Sequence, residues 1–160
     1  MHWMILPLKR YVDFEGRSRR MEFWSFALLL FAVFLIFAGP FYFSFFTAIF
    51  SVNPTGPGSE EAMAEAILAS FTTMNTIGLI VSTIFSLVVL IPWIAVTVRR
   101  LHDLGQSGWW YLGVIVASMI PFVGLLTSLA FLVVLLLPGT KGDNRFGPDP
   151  KATDLQETFD

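Results

Sequence analysis

Two long stretches of this chain, Phe23 to Ser59 and Ala66 to Val98, hold no Asp, Glu, Lys or Arg. No other feature constrains the fold as much. The apolar part of the first, residues 23–48, would be about 39 Å long as a helix rising about 1.5 Å per residue, enough to cross a hydrocarbon core about 30 Å thick. Its phenylalanines lie all the way round such a helix rather than on one stripe, which suits lipid contact better than a soluble core. Residues 76–98 of the second stretch would reach about 34 Å, and Arg99 and Arg100 stop it. A third run, Trp109 to Leu137, is divided by Pro121 and Gly124 into pieces 109–120 and 124–137, about 18 and 20 Å long. Each piece is short for a full crossing, so the run is either one kinked span or a tight hairpin turning at Ile120 to Gly124.

With 55% hydrophobic and 14% charged residues in 160, the composition fits a membrane domain and not a soluble one. The expected fold is an all-α integral membrane protein, a small bundle of about four membrane-embedded helices, the last two forming a tight hairpin. Residues 1–150 make one polytopic domain, and 151–160 are expected to be a disordered tail. Pro40 should bend the first span. The turn-rich segment Asn53 to Gly58 should be a loop, with Ser59 as N-cap and Glu60 and Glu61 in the first turn of the next helix. Cysteine is absent, which removes disulfides and thiolate metal sites.

Basic residues orient the chain. Lys9, Arg10, Arg17, Arg19 and Arg20 precede the first span, whereas the loop after it carries Glu60, Glu61 and Glu65 and no Lys or Arg. Lys and Arg favour the cytoplasmic side, so both termini are expected there. The hairpin is the preferred form of the third run because it keeps all ten basic residues on that side. A cleaved signal peptide fits poorly, since the first apolar run is too long and has no convincing small-residue cleavage site before Pro40.

Three polar islands then share one membrane face: Gly16-Arg17-Ser18-Arg19-Arg20-Met21-Glu22-Phe23-Trp24; Arg99-Arg100-Leu101-His102-Asp103-Leu104-Gly105-Gln106-Ser107-Gly108-Trp109-Trp110; and Pro138-Gly139-Thr140-Lys141-Gly142-Asp143-Asn144-Arg145-Phe146-Gly147. In this order the islands resemble the domain of unknown function 805 family, the YhaH-like bacterial inner membrane proteins. The likeness covers nearly the whole chain, and the second and third islands are its distinctive part. It implies an inner-membrane location and a compact helical bundle. It implies no activity, and so lends no catalytic residue.

Taken from their chemistry, the islands are interfacial. Trp24, Trp109 and Trp110 stand at membrane boundaries where an amphipathic ring is favoured, and neighbouring arginines can reach lipid phosphates by snorkelling. The functional alternative is that Arg17, Arg19, Arg20, Arg99 and Arg100 form a site for an anionic phospholipid or a protein partner. His102 and Asp103 invite acid–base chemistry, but adjacent helical residues do not face each other, and a hydrogen-bonded helix end is the expected role. Asp143, Asn144 and Arg145 belong to a structural turn, in which Asp143 is expected to pair with Arg99 or Arg100. Lys141-Gly142-Asp143-Asn144 fits neither a phosphate loop nor a calcium loop, and no metal, cofactor or nucleic acid is expected.

The apolar runs also contain no Asp, Glu, Lys, Arg or His, which disfavours proton-coupled transport and intramembrane hydrolysis. Gly113 with Ala117, and Gly124 with Ser128, have small-residue spacing for close helix approach within the chain or with a partner chain. The sequence therefore favours a non-enzymatic scaffold or accessory subunit with membrane-protein or lipid partners. The alternative is a small channel or transporter formed by self-association, since one chain has too few spans to enclose a pathway.

Overall fold

The structure, a computed structural model, describes residues 2–52, 56 and 58–152. Within them the regular elements are helices: a short 3-10 turn (His2–Met4), then α1 (Leu6–Lys9), α2 (Arg20–Phe37), α3 (Gly39–Ser51), α4 (Ser59–Ser70), α5 (Thr73–Asp103), α6 (Trp109–Ser118) and α7 (Val123–Leu136). Four residues of the expected loop, Asn53, Pro54, Thr55 and Pro57, lie outside the described residues, as do 153–160 of the expected tail.

α2 and α5 are long and apolar enough to cross a membrane. Their large apolar side chains point outward: Leu28, Phe31 and Leu35 on α2, and Ile80, Ile84 and Leu87 on α5, are exposed, as are Leu125, Leu129 and Leu132 on α7. An apolar surface of this extent is stable against hydrocarbon and not against water.

The first apolar run is two helices rather than one bent helix over 23–48. Ala38 separates α2 from α3, and Pro40 stands in the first turn of α3, where its missing N–H costs no hydrogen bond while its ring opposes continuation of the preceding helix. α4 begins at Ser59 itself, with Gly58 at φ 76° in the capping position, so the serine is not the cap. α5 extends beyond the expected 76–98 at both ends and keeps Pro92 buried in its interior.

The chain divides into two compact units, residues 28–88 and residues 1–27 with 89–160. In the first, α3 packs on α4, and the Phe41 and Phe71 rings meet at 5.1 Å between centroids. Asn75 is buried and donates to the Ser70 carbonyl at 2.8 Å and to Ser44 Oγ at 3.3 Å, an apolar neighbourhood's polar group satisfied locally. Gly78 leaves no room for a side chain, because a Cβ there would collide with the Phe37 carbonyl oxygen; glycine lets α5 approach α2 backbone to backbone.

In the second unit, α6 and α7 form a helical hairpin, with Tyr111 stacked on Phe131. The reversal is a γ-turn: the Val123 N–H donates to the Pro121 carbonyl at 2.8 Å, and Phe122 takes φ 64° and ψ −48°. A Cβ on Gly124 would stand 2.6 Å from the Ser118 carbonyl oxygen, so glycine permits the tight return. Gly113, by contrast, has no atom near its Cβ position and mediates no close approach within the chain. At 10 and 14 residues, α6 and α7 are about 15 and 21 Å long, shorter than the hydrocarbon core.

Candidate functional site

The three polar islands all fall in the unit of residues 1–27 and 89–160. Asp103, in the last turn of α5, is their centre. Its Oδ1 accepts from Arg17 Nε at 3.0 Å and its Oδ2 accepts from Arg100 Nη1 at 2.5 Å, all three side chains being nearly inaccessible to solvent. A buried guanidinium is tolerable only if its remaining donors are also used, and here they are. Arg17 donates to the carbonyls of Gly142 at 2.6 Å and Thr140 at 2.5 Å. Arg100 donates to the Leu135 carbonyl at 3.2 Å and to that of Leu137, occupying carbonyls that the end of α7 leaves without helical partners.

The 138–142 loop is thereby fastened to the end of α5. The Thr140 N–H donates to the Asp103 carbonyl at 2.8 Å, and Thr140 Oγ1 donates to the same oxygen at 3.1 Å. A Cβ on Gly139 would overlap the Asp103 carboxylate, so the backbone can lie this close only as glycine. α5 itself closes with Gly105 at φ 74°; the Gly105 N–H bonds to the His102 carbonyl and the Gln106 N–H to that of Leu101, a Schellman termination.

Arg99 points to a different acid. Its Nη2 donates to Glu22 Oε1 at 3.0 Å with both side chains buried, its Nη1 donates to the Asp13 carbonyl, and its own carbonyl accepts from the Ser18 N–H. Asp13 is partly withdrawn from water, which alone would raise its pKa. The Arg10 hydrogen bond, the Glu15 N–H and the charges of Arg10 and Arg99 outweigh this and hold it below its usual value.

His102 faces away from Asp103. Its Nδ1 lies 3.2 Å from the Gly16 carbonyl, and its ring stacks on Phe146 at 3.9 Å and 4°. Arg145 covers the other part of this layer, 4.6 Å from the Phe146 centroid, and donates to the Gly105 carbonyl. Asn144 Nδ2 bonds to the His102 carbonyl and to Thr140 Oγ1, while Asn144 Oδ1 accepts from the Phe146 N–H. Asp149 accepts the N–H groups of Lys151 and Gly142; these bonds, led by that of Lys151, hold its carboxyl below the usual range.

Two sequence expectations change. Asp143 is not the partner of Arg99 or Arg100: it accepts the Asp149 N–H at 3.0 Å, and the two arginines reach Glu22 and Asp103 instead. The reason is distance from solvent, since a buried guanidinium takes the carboxylate buried with it and Asp143 is exposed. Burial likewise turns Arg17, Arg99 and Arg100 inward, whereas Arg20 is exposed and Arg19 lies 5.5 Å from the Trp3 ring. Trp109 and Trp110 are exposed at the start of α6, and Trp24 is half-buried. Glu22, Gly139, Thr140 and Asp149 were not singled out by the sequence. Glu22 alone carried a signal, a carboxylate in the first turn of an apolar span, which needs a cation. Among the described residues, no three of His, Asp and Glu approach closely enough to hold a metal ion.

Outward-facing apolar helices, with a buried polar network at the end of α5, define a small helical integral membrane protein. The model of the family described as Protein of unknown function (DUF805) matches residues 11–148, and the chain belongs to this family. It is 36% identical to Inner membrane protein YhaH of Escherichia coli (strain K12), the match covering 94% of this chain and 98% of that protein. To Inner membrane protein YhaI of the same strain it is 32% identical, over 94% of this chain and 97% of that one. No solved structure matches significantly. The chain is thus a transmembrane protein of the inner membrane.

Proposed function

We propose that this protein is a non-enzymatic scaffold or accessory subunit, multi-pass with both termini cytoplasmic, whose polar face docks a partner at the membrane surface. One observation carries the reading: Arg17, Arg99 and Arg100 are each paired with a buried carboxylate and bonded to backbone carbonyls, which builds a face that keeps its shape without a ligand. Arg20, Lys141, Lys151, Trp109 and Trp110 are left exposed around it. Preformed faces of this kind bind with little ordering cost. The orientation is supported by the Lys and Arg asymmetry, because the segment between α3 and α4 has neither while both flanks of the polar face have several.

Single cysteines test the orientation cleanly, as the native chain has none. Residues near Met1 and Asp160 should react with an impermeant maleimide only after permeabilisation, and Gly56 should react in intact spheroplasts; labelling of the C-terminal site in intact cells would overturn the topology. A photocrosslinker at Trp109 or Lys141 should capture a discrete partner in native membranes. Ion flux through purified protein in liposomes, with no partner captured, would favour the small oligomeric channel or transporter instead.

A further inference from the structure

A narrow cleft of about 40 Å³ opens beside the buried Arg100–Asp103 pair, between the start of α2, the 139–141 loop and residues 149–151. Five cationic side chains line it, Arg19, Arg20, Arg100, Lys141 and Lys151, against two carboxylates, Asp103 and Asp149. Asp149 offsets part of this charge, lying near enough to Lys151 and Arg17 to feel both, yet cations outnumber carboxylates around the cleft. Asp103 already holds Arg17 and Arg100, and Asp149 accepts two backbone N–H groups. Arg20 and Lys141 are exposed and make no side-chain hydrogen bond or ion pair within the described residues, and the side chain of Lys151 makes no hydrogen bond there. Arg20 is also close enough to Arg100 to repel it.

We propose that this cleft binds a phosphate group, with Arg20, Lys141 and Lys151 as its outer ligands. The reading rests on the polar face being a docking surface, and it names the chemistry docked. Size points the same way: the space takes one tetrahedral oxyanion and not the remainder of an organic ligand. Position does so too. Arg20 is the first residue of α2, so the positive end of that helix dipole lies at the cleft, and the apolar part of the span starts at Phe23, which puts Arg20 at headgroup depth. Like-charged side chains held together by a fastened loop are relieved when an anion enters, and an exposed Lys and Arg set can then close on its oxygens.

Native mass spectrometry of the full chain from detergent, with added phosphatidylglycerol or phosphatidylcholine, reads the site directly. Wild type should retain phosphatidylglycerol preferentially. The Arg20→Gln, Lys141→Gln, Lys151→Gln triple variant should lose that preference by about tenfold or more, and Arg20→Lys should restore most of it in the background of the two lysines. Arg145→Gln, on the same face but outside the cleft, should keep it. Millimolar inorganic phosphate distinguishes the source: displacement of the lipid assigns the cleft to any phosphate, and no displacement assigns it to a membrane-held headgroup. A triple variant that binds like wild type, or an equal loss in Arg145→Gln, overturns the site. Partner capture at Trp109 is measured separately, so a failed cleft leaves the scaffold reading standing.

Discussion

Asp103→Ala removes the one carboxylate shared by Arg17 and Arg100. Both arginine side chains are buried beside it, at 1% and 0% exposure, so neither regains water when the acid is lost. Breaking one buried ion pair by deleting a partner typically costs about 3–5 kcal/mol. Arg17 keeps the carbonyls of Thr140 and Gly142, and Arg100 those of Leu135 and Leu137, which limits the loss to that range rather than double it. The internal reference is Arg10–Asp13, whose side chains are 33% and 40% exposed; Arg10→Ala should cost less than about 1 kcal/mol. Full-length protein unfolded reversibly by SDS in mixed micelles, followed by far-ultraviolet circular dichroism, gives both numbers on one scale. Asp103→Ala combined with Arg100→Ala should be less costly than the separate losses together, by about 1 kcal/mol or more. A loss under about 1 kcal/mol for Asp103→Ala, or strictly additive losses, would refute the claim that this pairing holds the polar face together.

Gly139→Ala should destabilise by about 1–3 kcal/mol in the same assay, because the added methyl meets a carboxylate pinned from two sides; a wild-type midpoint would contradict the close approach. Gly78→Ala, whose methyl meets the Phe37 carbonyl, should cost a similar amount while leaving the Asp103 network intact, as judged by an unchanged response to Asp103→Ala. Phe122→Gly should raise stability by about 1 kcal/mol, since glycine takes φ 64° without strain and the ring, 84% exposed, surrenders few contacts; a lower unfolding midpoint would show that the ring is held by something other than its own chain. Asp13 has a folded pKa below its usual value near 3.8, so its contribution is present above that value and is lost as pH falls through the lower, folded one. Wild type and Asp13→Asn should therefore differ at neutral pH and converge in acid, and a gap that widens on acidification would reverse the sign.

Which helices are long and apolar enough to cross a membrane was readable from residue order alone. Apolar character depends on the run of side chains along the sequence, so the uncharged stretches behind α2 and α5 and the reversal near Pro121 needed no tertiary information, whereas α5 runs on through Arg99 to Asp103. The pairing of charges did need it. Asp103 and Asp143 are both acids in polar islands, and spacing cannot say which of them is carried into the interior with Arg100; that depends on how the helix ends and the 138–142 loop approach one another. Glu22 and Arg99 are far apart in sequence and meet at 3.0 Å, and Gly139 matters only because Asp103 lies against it. Hydrophobic partition is nearly a sum over residues, whereas a buried ion pair exists only where two desolvated groups arrive at hydrogen-bonding distance, which the packed fold alone decides.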